Sequence, residues 1–353
     1  MFGKGWGPAV ARARLDGRRR PWGFVIGFLV LIAAMAIASG VDVARAQGRA
    51  VVRAGLQASG TFSWMLHAIE YFGIDDELGL QIEASTYATK EAAELALMAG
   101  DVDVTVDDFV NVVLMRSRGI PVRAVYPYSL ALGGVLVRQD SDIRSIADLR
   151  GKVIAAASLS DKSLLILRTL AVSRYGFDPQ YDSETISAAA PLMTELALRG
   201  EVDAVLPFWH FAARMVGSGQ FREIATVHGM LEEMGLSSQL PNLVLLARDD
   251  LDRGVLATFL RALDLAAERM KHDDGVWDSI LEEGLYSLPD RSLMASVRAR
   301  WEASLPGEWN EDIIRGLVEL VEAMVAVAGP ELVGTEKLDV DAFSTEFAFG
   351  QQR

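Results

Sequence analysis

The stretch GGVLVRQDSDIRSIADLRGKVIAAASLSDKS, which runs from Gly133 to Ser163, decides the fold. Its two apolar runs, Gly133–Arg138 and Val153–Ala157, have the length of buried strands. Between them, Ser145–Arg150 carries the serine and aspartate that favour a brief helical turn, and Gly151 ends it. We interpret this stretch as the crossing from one α/β lobe into a second.

The end of the same stretch predicts a binding loop. Ser158–Ser163 opens the next helix, and the first N–H groups of a helix have no partner within it. Ser158, Ser160 and Lys162 could therefore hold an anion at this helix start. The alternative is a capped helix with a solvated lysine.

Composition narrows the class of protein. The chain has 353 residues, enough for two domains, with 51% apolar and 23% charged residues, which is a globular composition. It contains no cysteine, which excludes disulfides, thiolate metal sites and a cysteine nucleophile. The formal net charge of −14 argues against a nucleic-acid partner, because phosphate neutralisation needs clustered lysine and arginine.

Residues 1–46 have the pattern of a secretory signal. A basic region between Arg12 and Arg20 precedes the apolar run Phe24–Ala38, and Ala-Arg-Ala then ends at Ala46. This order predicts cleavage after Ala46, so that the mature chain starts at Gln47. An uncleaved membrane anchor is the alternative, and the arginine pair at 19 and 20 leaves both Sec and twin-arginine export open.

Strands and helices alternate in the first part of the mature chain. Ala50–Leu56 reads as a strand, Thr89–Ala99 as a helix and Asp101–Thr105 as a further strand. This order is typical of a mainly parallel sheet with right-handed crossovers. It also places Asp107 and Asp108 at a strand end, where open α/β sheets bind ligands.

Two similar segments indicate two lobes of like construction. The sequence AGDVDV at 99–104 has a counterpart in RGEVDA at 199–204. We expect the chain to cross between lobes near Val137–Ser141 and again near Ser237–Leu243. Residues 47–138 and 241–353 then form the first lobe, on which a C-terminal helical group packs, and residues 139–240 form the second.

Two runs of sequence resemble a known family. The segments RQDSDIRSIADLRGKVIA at 138–155 and AIEYFGIDDELGLQIE at 68–83 are similar to periplasmic solute-binding proteins of ABC importers. The resembled branch carries sulfonates, taurine, nitrate or thiamine-precursor pyrimidines. The resemblance implies the type II periplasmic-binding-protein fold, an α/β architecture of two lobes, each a mainly parallel sheet flanked by helices.

The resemblance also implies partners and a location. A protein of this kind is a periplasmic monomer that closes its lobes around a small solute by hinge motion. It needs no cofactor, and it delivers the solute to a membrane permease with its ATPase. One loop departs from the family: PFWHF at 207–211 has no acidic residue where the family usually has an aromatic-acidic-proline step, so ligand contacts are not carried over there.

Loops at the predicted strand ends supply the candidate ligand residues. Aromatic side chains there could sandwich a flat solute, or pack in the core, and Asp107 and Asp108 could accept hydrogen bonds from an amine, or cap a helix. The candidates are Ser59, Thr61, Trp64, Tyr87, Asp107, Tyr126, Tyr128, Ser158, Ser160, Lys162, Phe208 and Trp209.

The two local signals favour different solutes. Lys162 and the helix start after Ser158 favour a sulfonate or carboxylate, whereas the aspartates with nearby aromatic residues favour a flat nitrogen heterocycle or amine. We expect the heterocycle, such as a pyrimidine-like vitamin precursor, with an alkanesulfonate as the alternative. A sensing or effector domain, or an enzyme on the same fold such as a pyrimidine synthase, is a further alternative; we expect no enzyme, because no catalytic or metal-binding spacing of residues is evident.

Overall fold

A computed structural model of the chain describes residues 49–130 and 133–347. The predicted signal sequence and its cleavage site lie outside these residues. From Ala50 onward the described residues belong to one compact unit. Within the two described ranges, no helix combines the length and the apolar content that a membrane span requires.

Ten strands form two five-stranded sheets, one in each lobe. The first sheet has the order β2-β1-β3-β10-β4 and the second β7-β6-β8-β5-β9. The strands are β1 (Ala50–Gln57), β2 (Leu80–Tyr87), β3 (Val104–Asp108), β4 (Val122–Leu130), β5 (Gly134–Arg138), β6 (Val153–Ala156), β7 (Glu184–Ser187), β8 (Ala204–Leu206), β9 (Phe221–Thr226) and β10 (Pro241–Arg248).

Each sheet contains four parallel strands and one antiparallel strand. The antiparallel strand is β10 in the first sheet and β5 in the second, and each is the strand that arrives from the other lobe. The mainly parallel sheets predicted from the alternation of strands and helices are therefore confirmed. Parallel strands end at the same sheet edge, so the loops after β1, β3, β4, β6 and β8 gather where the lobes meet.

The first crossing lies earlier than the sequence predicts. Gly134–Arg138 was assigned to the first lobe, but it pairs with β8 and β9 in the second sheet. The chain thus crosses between Leu130 and Gly134 instead of near residue 138. Glycine is required at residue 134, because a Cβ there would overlap the carbonyl oxygen of Ala225 on the neighbouring strand. The return strand begins at Pro241, where the sequence places it.

Helices fill the connections, and several begin and end at the residues expected from local chemistry. Ser145 and Asp148 form a capping box around the predicted short turn, and Gly100 ends a helix with φ of 80°. The helices are α1 (Phe62–Tyr71), α2 (Ile74–Leu78), α3 (Lys90–Ala99), α4 (Asn111–Ser117), α5 (Lys162–Leu170), α6 (Pro179–Asp182), α7 (Ala190–Arg199), α8 (Trp209–Gly217), α9 (Val227–Glu233), α10 (Arg253–His272), α11 (Gly275–Glu282), α12 (Met294–Ala303), α13 (Glu311–Ala328) and α14 (Pro330–Val333). Shorter 3-10 or π turns occupy Ile146–Leu149, Ala171–Tyr175, Arg291–Leu293 and Val340–Ala342.

The C-terminal helices divide between the two lobes. Helices α10 and α11 pack on α1 of the first lobe, as predicted. In contrast, α12 contacts α8 and α13 contacts α5, and both of those partners belong to the second lobe. Arg300 of α12 also pairs with Glu223 of β9, at 3.1 Å between Nη1 and Oε1. The second half of the C-terminal group therefore connects the lobes instead of packing on one.

The two lobes are in contact in this structure. One buried apolar cluster combines Phe109 and Val244 of the first lobe with Ile154 and Leu164 of the second, and Leu317 of α13 joins it. A second cluster, centred on the first lobe, includes Trp209 of α8. Any site between the lobes is therefore observed in a closed arrangement.

Candidate functional site

A small, mainly apolar pocket lies where the two lobes meet. The first lobe contributes the start of α1 and the end of β4, the second lobe contributes Trp209, and α10 and α12 complete the wall. Its lining residues are Thr61, Met65, Tyr126, Tyr128, Ser129, Trp209, Leu263, Ala267, Trp301, Ser304, Leu305 and Pro306. The cavity volume is about 10 Å³, which is room for roughly one water molecule.

Four of the predicted ligand residues line this pocket, and they come from three distant parts of the sequence. Thr61 follows β1, Tyr126 and Tyr128 lie on β4, and Trp209 begins α8 after β8. Sequence reasoning missed Trp301 and Ser304, since both belong to a C-terminal helix with no local feature that separates them from an ordinary buried face.

The hydroxyl groups of the pocket donate mostly to acceptors of the protein itself. Tyr126 donates to Oδ1 of Asp264 at 2.8 Å, Ser304 to the carbonyl oxygen of Trp301 at 2.6 Å, and Ser129 to that of Leu130 at 3.3 Å. These three protons are therefore engaged. Ser129 and Ser304 can still accept a hydrogen bond from a solute, because a hydroxyl has one donor and two acceptor positions.

Burial dominates the electrostatics of Tyr128. It raises the pKa of the phenol well above its usual value, and a hydrogen bond with Thr61 opposes this only in part. Tyr128 is therefore neutral at physiological pH. The pocket wall contains no lysine, arginine, aspartate, glutamate or histidine, so its lining is uncharged.

Beside the pocket lies a cluster of rings that we call the aromatic junction: Trp64, Trp209, His210 and Tyr286. The ring centroid of Trp64 is 5.9 Å from that of Trp209 and 4.9 Å from that of Tyr286. The hydroxyl of Tyr286 donates to the carbonyl oxygen of His210 at 2.9 Å, across the lobes. Trp64 is 1% exposed and its Nε1 donates to the carbonyl oxygen of Leu285 at 3.3 Å, so it serves packing and does not line the pocket.

Two titratable side chains of the aromatic junction have shifted pKa values: burial raises the pKa of Tyr286 to about 12, and the larger shift is that of His210. It is 5% exposed, and its Nδ1 has no hydrogen-bond partner among the described residues. Burial lowers the pKa of its imidazole to about 3, with a smaller contribution from the charge of Arg214. His210 is consequently neutral at physiological pH.

A second contact between the lobes is ionic. The ionic junction consists of Lys90, Asp107, Asp108 and Lys162. Nζ of Lys90 lies 2.8 Å from Oδ1 of Asp107 and 2.6 Å from Oδ2 of Asp108. From the second lobe, Nζ of Lys162 lies 3.9 Å from Oδ1 of Asp108 and donates to the carbonyl oxygen of Val333 at 3.1 Å.

Protein donors already occupy both carboxylates. Asp107 accepts from the N–H of Asp108 at 2.6 Å and from Nδ2 of Asn111 at 3.0 Å, in addition to Lys90. Asp108 accepts from the N–H groups of Val110 at 3.0 Å and of Asn111 at 3.2 Å, which start α4. In this arrangement Asp107 does not have the role predicted for it as an acceptor for a ligand amine; its neighbour Asp108 is the helix-capping residue that the sequence left open.

The two aspartates differ in their acidity. Burial, together with the neighbouring negative charges of Asp108 and Glu94, raises the pKa of Asp107 well above its usual value, and the charge of Lys90 opposes this only in part. Burial acts in the same sense on Asp108, but the charges of Lys90 and Lys162 and its hydrogen bonds outweigh it and lower the pKa of Asp108. Asp108 is therefore the more acidic carboxyl of the two.

In the predicted anion-binding loop, Ser158–Ser163, the hydrogen-bonding groups are also bonded to other groups of the protein. The carboxylate of Asp161 accepts from the N–H groups of Ser163 at 3.0 Å and Leu164 at 3.2 Å, so the helix start is not open to an anion. Ser158 and Ser160 form a hydrogen bond with each other at 3.1 Å. Lys162 is only 8% exposed. The serine-rich sequence suggests a free helix end, whereas the side chain of Asp161 caps the helix, which is the alternative that the sequence left open.

The remaining predicted residues lie apart from the pocket. Ser59 is exposed and accepts from Nε2 of Gln57 at 3.1 Å. Tyr87 is half-buried at the end of β2, against the inter-lobe apolar cluster. Phe208 is 40% exposed, immediately before the buried Trp209.

Solved structures with the same fold include binding proteins and one enzyme. The alkanesulfonate-binding protein SsuA from Xanthomonas axonopodis pv. citri bound to MOPS has a TM-score of 0.64 and 18% identity, covering 85% of this chain and 99% of that one. The periplasmic aliphatic sulphonate binding protein SsuA from Escherichia coli has a TM-score of 0.63 and 18% identity, covering 82% and 96%. The desulfurization enzyme DSZB has a TM-score of 0.52 and 16% identity, covering 81% and 96%.

These similarities show that the fold is that of the two-lobed periplasmic binding proteins, as the sequence predicts. Among curated proteins, none matches the chain by sequence. A family model described as NMT1/THI5 like matches residues 71–274, which is more than half of the chain. The chain therefore belongs to the NMT1/THI5-like family.

Proposed function

We propose that this protein is an extracytoplasmic solute-binding protein that captures a small molecule between its lobes and delivers it to an ABC importer. The observation that carries the proposal is the uncharged pocket at the lobe junction, with walls from both lobes. Thr61 and Tyr128 come from the first lobe and Trp209 from the second. A pocket divided in this way is completed only when the lobes close, which couples solute binding to lobe closure.

The same proposal specifies location and partners. The protein is periplasmic after cleavage at Ala46, and its partners are a membrane permease with its ATPase. The fold shared with the periplasmic aliphatic sulphonate binding protein SsuA supports this. N-terminal sequencing of the exported protein should give Gln47 as the first residue, and recovery of an intact membrane-bound residue 1 would contradict the export step.

The pocket chemistry supports a neutral or cationic aromatic solute, such as a pyrimidine-like nitrogen heterocycle. Rings of Tyr126, Tyr128 and Trp209 offer flat apolar faces, and pockets of this kind orient ligands with few polar groups. The hydroxyl protons of Tyr126, Ser129 and Ser304 are already donated to the protein. A solute with N–H donors matches the oxygen lone pairs of the two serines, whereas an anion needs donors.

An alkanesulfonate is the second candidate. It is favoured by the two SsuA structures of the same fold, one of which holds the sulfonate MOPS. In this chain a sulfonate would require Lys162 to leave the carbonyl oxygen of Val333 and the carboxylate of Asp108. It would also require the N–H groups of Ser163 and Leu164 to exchange the Asp161 carboxylate for the solute.

Solute entry requires the pocket to enlarge. The present volume of about 10 Å³ is far below the several hundred Å³ of a typical small-molecule site. Trp209 is the only lining residue from the second lobe, so separation of the lobes withdraws its indole and opens the space. We expect the solute ring to contact Trp209 once the lobes close again.

Native mass spectrometry of the purified protein, followed by calorimetry with an aminopyrimidine and with taurine, tests the proposal. For the heterocycle, Trp209→Ala should weaken binding by about 1 kcal/mol or more, the scale of an aromatic contact. Phe208→Ala is the matched control, since Phe208 precedes Trp209 but does not line the pocket. Tight taurine binding that survives Trp209→Ala and is lost with Lys162→Ala would replace the heterocycle by the sulfonate.

An enzyme on this fold is the remaining class, because DSZB shares the fold. A binding protein returns its solute unchanged, whereas an enzyme converts it. Incubation of the protein with a bound solute, followed by mass spectrometry of the released small molecule, distinguishes the two. A product of altered mass would contradict the proposed function.

A further inference from the structure

The indole N–H groups of the tryptophans in the described part of the chain fall into two sets. Three donate to backbone carbonyl oxygens at 2.8 to 3.3 Å, as buried indoles usually do: Trp64, Trp277 and Trp309. The other two, Trp209 and Trp301, are only 6% and 3% exposed, yet neither has a hydrogen-bond acceptor among the described residues. These two are the tryptophans that line the pocket.

Both pocket indoles are held in place by other rings. Trp209 meets Trp64 edge to face, with centroids 5.9 Å apart, and Trp301 meets Trp277 in the same way at 5.0 Å. The chain beside Trp301 is fixed as well, since the carbonyl oxygen of Ser304 accepts from the backbone N–H at the end of β4 at 2.9 Å. Donors held in this way lose little freedom when a solute binds, which favours selective binding.

The pocket therefore offers donors as well as acceptors. The hydroxyl oxygens of Ser129 and Ser304 can accept from a solute, and the indoles of Trp209 and Trp301 can donate to it. None of the lining residues is charged. A formal charge is strongly unfavourable in a buried site unless an opposite charge pairs with it. This set of groups thus fits a neutral acceptor atom better than a sulfonate or an ammonium group.

We propose that Trp209 and Trp301 determine specificity by donating their indole N–H groups to a neutral acceptor of the solute. The pocket then selects an uncharged ring that carries both an acceptor, such as a ring nitrogen, and an N–H donor. The inference rests on the proposed function, which it narrows from a neutral or cationic aromatic solute to a neutral one with both groups. An analogue without the acceptor leaves buried donors unpaired, and a site discriminates strongly against such an analogue.

The first test needs no solute. Proton exchange of the indole N–H groups is followed by two-dimensional NMR of isotope-labelled protein, and each signal is assigned by replacing that tryptophan with phenylalanine. The signals of Trp209 and Trp301 should exchange at least about tenfold faster than those of the three carbonyl-bonded tryptophans, because a hydrogen-bonded N–H is protected. Equal protection of all these signals would mean that the pocket indoles have acceptors within the protein, and would overturn the inference.

The second test compares 4-aminopyrimidine with aniline, which carries the same amino group on a ring without an acceptor. Affinities are measured in mildly alkaline buffer, where both compounds are neutral, from the shifts of the indole signals. We expect the parent protein to prefer 4-aminopyrimidine by about tenfold, the scale of one or two neutral hydrogen bonds. Trp209→Phe and Trp301→Phe keep an aromatic ring but delete the N–H, and each should reduce this preference by about threefold or more.

Trp309→Phe is the matched control, because the N–H of Trp309 donates to the carbonyl oxygen of Ser344, away from the pocket lining, and it should leave the preference unchanged. Lost ring packing lowers the affinity for both compounds and cancels in their ratio. An unchanged ratio in both pocket variants would overturn the inference, as would a parent protein that binds the two compounds equally or binds neither. The proposed function is tested separately by the co-purified solute, so the two failures are distinguishable.

Discussion

The two contacts between the lobes, the aromatic junction and the ionic junction, join the same surfaces by opposite means. In the aromatic junction, Trp64, Trp209 and Tyr286 meet through ring faces and edges, with centroids 4.9 to 5.9 Å apart. In the ionic junction, Asp107 and Asp108 accept hydrogen bonds from Lys90, an amide side chain and backbone N–H groups. Only the aromatic junction leaves a pocket beside it.

The difference follows from the nature of the two interactions. Ring packing is weakly directional, so a small space beside the rings costs little and a solute ring can join them. Each buried charge in the ionic junction is paired with oppositely charged or hydrogen-bonding groups of the protein, so no group there is left to bind a solute. We infer that the aromatic junction, and not the ionic junction, offers room for a solute.

The largest effect is expected at the centre of the aromatic junction. Trp64→Ala removes a fully buried ring and should reduce the free energy of unfolding by about 3 to 5 kcal/mol, measured by urea denaturation. Tyr181→Ala is the control, because Tyr181 is 83% exposed, and should change stability by less than about 0.5 kcal/mol. A loss below about 1 kcal/mol for Trp64→Ala would mean that the rings do not support the fold.

A smaller loss is expected in the ionic junction. Lys90→Met leaves Asp107 buried without its cation and should cost about 2 to 3 kcal/mol of unfolding free energy, at the low end for buried pairs because Lys90 is 32% exposed. Adding Asp107→Asn to Lys90→Met should restore much of the stability, since it removes the unpaired charge. If the double variant is less stable than Lys90→Met alone, charge matching is not what holds this junction.

Acid should weaken the aromatic junction through His210. Its pKa is about 3 in the folded protein and near 6.5 when unfolded, so below pH 6.5 the unfolded chain binds the extra proton and stability falls as pH falls. From pH 7 to pH 5 the loss from this residue should be roughly 2 kcal/mol. His210→Phe should remove that part of the pH dependence of the unfolding free energy, whereas Ser117→Ala, at an exposed residue that does not titrate, should leave it unchanged.

The smallest effect concerns the polar atoms of the pocket. Ser304→Ala deletes an oxygen that can accept from a solute N–H, and should weaken aminopyrimidine binding by about 1 kcal/mol in calorimetry. Ser117→Ala, at an exposed serine of α4, should leave affinity unchanged. Unchanged binding in both variants would show that the solute is held by ring contacts alone.

Only part of the pocket wall follows from the sequence. Thr61, Tyr126, Tyr128 and Trp209 were identified because each follows or ends a strand, and strand ends meet at one sheet edge. Trp301 and Ser304 were missed, since nothing in a helix sequence tells which distant strand it will face. Lys162 and Asp107 are expected from the sequence to meet solutes of opposite charge, but Lys162 lies opposite Asp108 of the other lobe and Asp107 pairs with Lys90 of its own lobe.

The sequence by itself determined the elements and their order. Strand periodicity, the Ser145 capping box and the glycines that end helices depend on neighbours a few residues away, and these are visible in one dimension. Only the tertiary structure decided that β5 belongs to the second sheet, that α13 packs on α5, and that Lys162 pairs with Asp108 instead of facing a solute. The sequence of an apolar run or a charged residue does not specify which distant group it will contact. The approach of the two lobes decides this, because a buried charge is strongly unfavourable unless it pairs with a group on the facing surface.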